Sequence, residues 1–116
     1  MKKLTTINHL KLQFQVHDFV KKTINQINKD GIGLVANNVV ITNYKSTTIL
    51  DDVVKRVINL INELETNSNL QQFIYKVDLN EKKWLYFVSF KNYKILAEEI
   101  IIREAQKIYL REMFSS

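Results

Sequence analysis

Two histidines, His9 and His17, are the natural starting point for chemistry in this chain, because there is no cysteine to act as a nucleophile or thiolate ligand. His17-Asp18 has the form of a base beside its orienting carboxylate, but no G-x-S-x-G or comparable nucleophile signature accompanies it. A zinc site needs three or four ligands from cysteine, histidine or carboxylate. His9 and His17, eight residues apart with one adjacent aspartate, are too sparse for one. Gly31-Ile32-Gly33 lacks the third glycine of a dinucleotide fingerprint and the lysine-serine of a phosphate loop. Gly31 reads instead as the left-handed residue that ends a helix. No catalytic, metal or cofactor site is expected, and the chain does not read as an enzyme.

Two charged groupings remain. Glu98, Glu99, Glu104 and Glu112 alternate with Lys94, Arg103, Lys107 and Arg111 near the C-terminal end. A pair of carboxylates can do acid–base work, but each glutamate here has a cation within a turn or so, so the expectation is a solvated face with weak ion pairs. Lys82, Lys83, Trp84, Tyr86, Lys91, Tyr93 and Lys94 interleave cations with rings. That mixture suits single-stranded nucleic acid, held by base stacking and phosphate contacts. Lys82, Lys83, Trp84, Tyr93 and Lys94 are accordingly the candidate contact residues, for a protein partner or for nucleic acid.

Charge placement bears on the same question. The net charge is +5 over 116 residues. Residues 1–45 contain seven lysines against Asp18 and Asp30, so the first third carries the whole excess. Such a bias can steer polyanions, although net charge speaks first to solubility. Residues 5–13 are too polar to follow Met1-Lys2-Lys3 as an export signal, and the longest apolar run, 84–88, is far too short to span a bilayer. The expected location is the cytoplasm, with no membrane partner.

The elements that would position these residues are mostly helices. With 46% hydrophobic residues the chain can build a core, and 116 residues fit one domain covering 1–116. Leu50, Val53, Val57, Leu60 and Leu64 recur at spacings of three and four, which predicts a helix over 49–64. Thr48 and Asp51 suit its start, and Asn67-Ser68-Asn69 its end. A short helix follows over 70–77. Asp78 and Glu81 have capping-box spacing and predict another helix, with Trp84, Leu85, Phe87 and Val88 as its buried side. A strand over 84–90 is the alternative, since aromatics and valine favour sheets. Asn92 opens a last helix over 93–113. Its three consecutive isoleucines, 100–102, give it a wide apolar arc, which predicts a central position or an oligomer contact. In the first third, alternation at Leu10, Leu12, Phe14 and Val16 competes with helical spacing at Phe19, Val20, Ile24 and Ile27. The reading adopted is a helix over about 13–29.

The stretch Phe73-Ile74-Tyr75-Lys76-Val77-Asp78-Leu79-Asn80-Glu81-Lys82, with Leu96-Ala97-Glu98-Glu99-Ile100-Ile101 and Arg103-Glu104-Ala105-Gln106-Lys107, resembles the ending of a group of short uncharacterised bacterial proteins. The resemblance implies a helical C-terminal end and no particular activity. The expected fold is all-α: a bundle of four or five helices with short extended segments near 10–16 and 38–43. The expected function is a helical interaction protein acting through a protein partner or its own dimer. Nucleic-acid binding through the basic first third and segment 82–94 is the alternative.

Overall fold

The computed structural model describes residues 17–35 and 49–114. Within them the chain is all-α, in five helices: α1 (His17–Gly31), α2 (Ile49–Thr66), α3 (Leu70–Val77), α4 (Glu81–Ser89) and α5 (Tyr93–Phe114). The alternating segment 10–16 and the β-branched segment 38–43 lie outside the described residues, as does Thr48.

Apart from α4, each helix buries the stripe that its sequence spacing foreshadows. In α1, Phe19, Val20, Ile24 and Ile27 face inward. Thr23 lies on the same face, and its hydroxyl donates to the Phe19 carbonyl (2.9 Å), which satisfies a polar group that would otherwise be costly inside. In α2 the buried set runs from Ile49 to Leu64, with Asp51 and Asp52 at the positive end of the helix dipole. Leu70, Phe73, Ile74 and Val77 line one side of α3. The three consecutive isoleucines of α5, 100–102, are all buried within the single chain, and α5 packs against each of the other four helices. Of the two expectations for that wide apolar arc, the central position is the one observed.

Three helix ends share one device. The backbone turns left-handed at Ser68 (φ 61°), Asp78 (φ 68°) and Lys91 (φ 54°). In each case the next N–H reaches back five residues: Asn69 to Leu64 (2.8 Å), Leu79 to Ile74 (3.2 Å) and Asn92 to Phe87 (2.8 Å). This is the helix-ending motif that usually contains glycine. With two glycines in the chain, serine, aspartate and lysine occupy these places.

Two expectations about helix ends need correction. Asp78 does not cap α4. It closes α3, where Arg103 holds its carboxylate (Nη2 to Oδ2, 2.9 Å) and its carbonyl (Nε to O, 3.2 Å). The cap of α4 is Asn80, whose Oδ1 accepts from the backbone N–H of Lys82 (3.0 Å) and Lys83 (3.3 Å). Gly31 is still helical, and the left-handed glycine is Gly33 (φ 81°), two residues on. Asn69 then ties the α2–α3 turn to this region, its Nδ2 donating to the Leu34 carbonyl (2.8 Å).

Candidate functional site

The α4 helix is half-embedded. Trp84 is buried, Phe87 and Val88 pack partly against the core, and the opposite side faces solvent. Leu85, expected inside, is 46% exposed. A spacing of four places Lys82, Tyr86 and Phe90 in one row along the outer surface. Tyr86 is 60% exposed and Phe90 71% exposed, and their ring centroids lie 4.9 Å apart. Phe87 meets Tyr86 edge to face at 5.7 Å, so the exposed rings continue into the partly buried one. Lys83 and Lys91 are exposed beside this row. The arrangement is an apolar, aromatic strip with a cationic border.

The five candidate contact residues do not share one surface. Lys82 and Lys83 are exposed on α4, and the Lys83 ammonium lies 3.8 Å from Glu99 Oε2. The Trp84 ring is part of the core, so it presents no face for stacking. Tyr93 is half-buried, and its hydroxyl donates to Glu65 Oε1 (2.7 Å), a bond that holds the phenol above its usual pKa. Lys94 borders a separate groove of about 530 Å³ between α2 and α5, beside Leu50, Val54 and Glu98. In the segment 82–94 the rings offered to solvent are Tyr86 and Phe90 instead.

The C-terminal carboxylates also differ from expectation. Glu104 is not on a solvated face; it is fully buried. The Lys107 ammonium, one turn on, sits 2.6 Å from its Oε1 and 3.1 Å from Asp30 Oδ2 of α1. Lys107 also donates to the Lys76 carbonyl at the end of α3 (3.0 Å). Gln26 Nε2 donates to Asp30 Oδ1 (3.1 Å), and Arg111 donates to Gln26 Oε1 (3.1 Å). Three helices therefore meet on one ammonium. Burial, reinforced by the neighbouring Asp30 carboxyl and opposed by Lys107, pushes the Glu104 carboxyl up to about 8. A signal for this was present in the sequence. Ile101, Glu104 and Ile108 follow spacings of three and four, so Glu104 stands on the apolar stripe of α5.

Beside this cluster, α1 and α5 enclose an open groove of about 460 Å³, lined by Lys22, Lys29, Arg111 and Glu112 together with Gln26. Lys22 bridges Glu112 (2.7 Å) and Asp18 (3.2 Å), which hold its ammonium above the usual lysine range. Of the lysines that give the first third its charge, Lys21, Lys22 and Lys29 fall within the described residues, all exposed. His9 and the remaining four lie outside them. Among the described residues no group of three or more histidine or carboxylate side chains is placed to hold a metal ion. No described helix is long and apolar enough to cross a membrane. Comparison with known proteins finds no matching family model, no matching curated protein and no matching solved structure.

Proposed function

We propose that this chain is a small helical interaction protein that docks a protein partner on the outer face of α4. The observation that carries the reading is the pair Tyr86 and Phe90, two large rings in mutual contact and mostly open to water. Aromatic residues at a surface, bordered by charge, are the composition of interface anchors. Lys82, Lys83 and Lys91 border the strip, so the partner segment it fits carries apolar side chains flanked by carboxylates. A second copy of the chain fits less well, because it would bring the same lysines together. The buried 100–102 arc offers a dimer no surface.

Site-specific photo-crosslinking in the native cell tests this reading. A benzophenone side chain at position 90 is expected to capture one discrete protein, and the same group at Lys55 on α2 is not. Equal labelling from both positions, or a crosslink only to the chain itself, overturns it. Anisotropy titrations with single- and double-stranded oligonucleotides over a salt series separate the nucleic-acid alternative. Steeply salt-dependent binding that is lost in Phe90→Ser would replace the protein partner with a polyanion.

A further inference from the structure

The cluster at the seam of α1, α3 and α5 is short of hydrogen-bond donors. Neither carboxylate oxygen of Glu104 accepts a well-directed hydrogen bond, although both are buried. Lys107 approaches Oε1 closely, but its ammonium donates to Asp30 and to the Lys76 carbonyl. The charged groups that act on Glu104 are Asp30 from α1 and Lys107 from α5. From α3 the cluster receives a backbone carbonyl, and Arg111 stops at Gln26. With both carboxyls ionised, one ammonium faces two negative charges, one of them, on Glu104, without any exposure to solvent. An unpaired buried charge of that kind costs several kcal/mol. The two carboxyls flank one ammonium, 2.6 Å from Glu104 Oε1 and 3.1 Å from Asp30 Oδ2, and neighbouring carboxyls attract each other only when one of them carries a proton.

We propose that Glu104 is protonated in the native protein at neutral pH, that it donates to Asp30, and that this proton latches α1 onto α5. The cluster is then neutral: one acid, one carboxylate and one ammonium. Loss of the proton restores the missing-donor state and pushes Asp30, and α1 with it, away from α5. Besides Glu104, α1 and α5 are joined by the Lys107–Asp30 pair, the Arg111–Gln26 hydrogen bond and the exposed Lys22–Glu112 pair. The latch therefore makes the seating of α1 sensitive to mildly alkaline conditions.

The direct test follows the Glu104 side-chain carboxyl by carbon-13 NMR in the intact protein. Its assigned resonance is expected to titrate with a midpoint near 8. A midpoint in the ordinary glutamate range, about 4–5, overturns the proposal. A second arm compares wild type with Glu104→Gln, which keeps the shape and removes the titration. The wild-type folding constant is expected to fall about tenfold per pH unit between roughly pH 5 and 8, and the variant is expected to lose that slope. Amide protection in α1, corrected for intrinsic exchange, is expected to fall over the same range, from about pH 5 to about pH 8, in wild type alone. A variant that keeps the wild-type slope overturns the latch. Should the variant fail to fold, the carbon-13 midpoint decides alone.

Discussion

The ammonium of Lys107 lies 2.6 Å from a carboxylate oxygen of Glu104, one turn earlier in α5, and Glu104 has no exposure to solvent. A Glu–Lys pair at this spacing is usually a surface ornament worth a few tenths of a kcal/mol. Here the same pair sits inside, and Asp30 of α1 competes for the ammonium. Removing the cation should be costly. Lys107→Met is expected to destabilise the protein by about 3–5 kcal/mol, because it strands buried carboxyls. Removing the extra acid should act the other way once it is ionised. The folded-state pKa of Glu104 lies above its unfolded value, so its contribution is fully present below about pH 4.5 and is lost as pH rises to about 8. Glu104→Leu is therefore expected to be near parity with wild type at about pH 5 and more stable by roughly 1–4 kcal/mol at about pH 9. Urea unfolding at both pH values reads the crossover.

The three left-handed helix ends make a separate prediction. An L-residue in this conformation costs roughly 1–2 kcal/mol relative to glycine, offset in part by the lower chain entropy of the unfolded state. The Ser68→Gly and Lys91→Gly variants are each expected to gain about 0.5–1 kcal/mol. Asp78→Gly should gain less or lose, since it removes the carboxylate that Arg103 binds. That pair is exposed, and Arg103 holds the Asp78 carboxyl below its usual range. Its contribution therefore disappears as the solution is acidified, the opposite sense from Glu104. Thermal unfolding of the three single variants at neutral and acid pH checks the order.

Much of this fold was legible because apolar spacing and burial coincide. The stripe of α2 from Leu50 to Leu64, the short α3 and the long α5 all follow from periodicity alone. Residues 84–89 are helical, but the residue that caps this helix is not the one the spacing predicts. Asp78 and Glu81 have capping-box spacing, yet Arg103, distant in sequence, captures Asp78 and leaves the cap to Asn80. Local grammar carries no trace of a partner 25 residues away. The same limit hid the site. Pairing each glutamate of α5 with its nearest cation predicts a wet surface, and it overlooks that Glu104 stands on the apolar stripe. Asp30, three residues beyond Ile27, occupies the equivalent place on α1. Two acids on two buried stripes are what bring the charges together. Trp84 and Phe90, on the other hand, differ in exposure because of helical phase, which a run of aromatics conceals.

The two glycines should respond in opposite ways to a methyl group. Gly31 lies in the helical last turn of α1, and an added Cβ would meet the Phe73 ring at 3.8 Å, an ordinary contact. Gly31→Ala is expected to stabilise by about 0.4–1 kcal/mol, mainly by restricting the unfolded chain. Gly33 has space around it but a φ of 81°. Gly33→Ala is expected to cost about 1–2 kcal/mol through backbone strain alone. Chemical denaturation of the two variants should therefore move the midpoint in opposite directions from wild type.

The aromatic residues of α4 offer the sharpest separation between stability and docking. Trp84 is 9% exposed and fills the core between α4 and α5, so Trp84→Ala is expected to cost about 3–5 kcal/mol. Phe90, 71% exposed, has Tyr86 as its ring contact. Phe90→Ser is expected to change folding stability by less than about 1 kcal/mol. An interface anchor, by contrast, loses 2 kcal/mol or more of binding on truncation, roughly a thirtyfold change in affinity. Under the proposed function, Phe90→Ser leaves the melting temperature nearly unchanged while crosslinking from position 86 falls sharply. If crosslinking from position 86 is unaffected by the loss of its neighbouring ring, the α4 strip is not the docking surface.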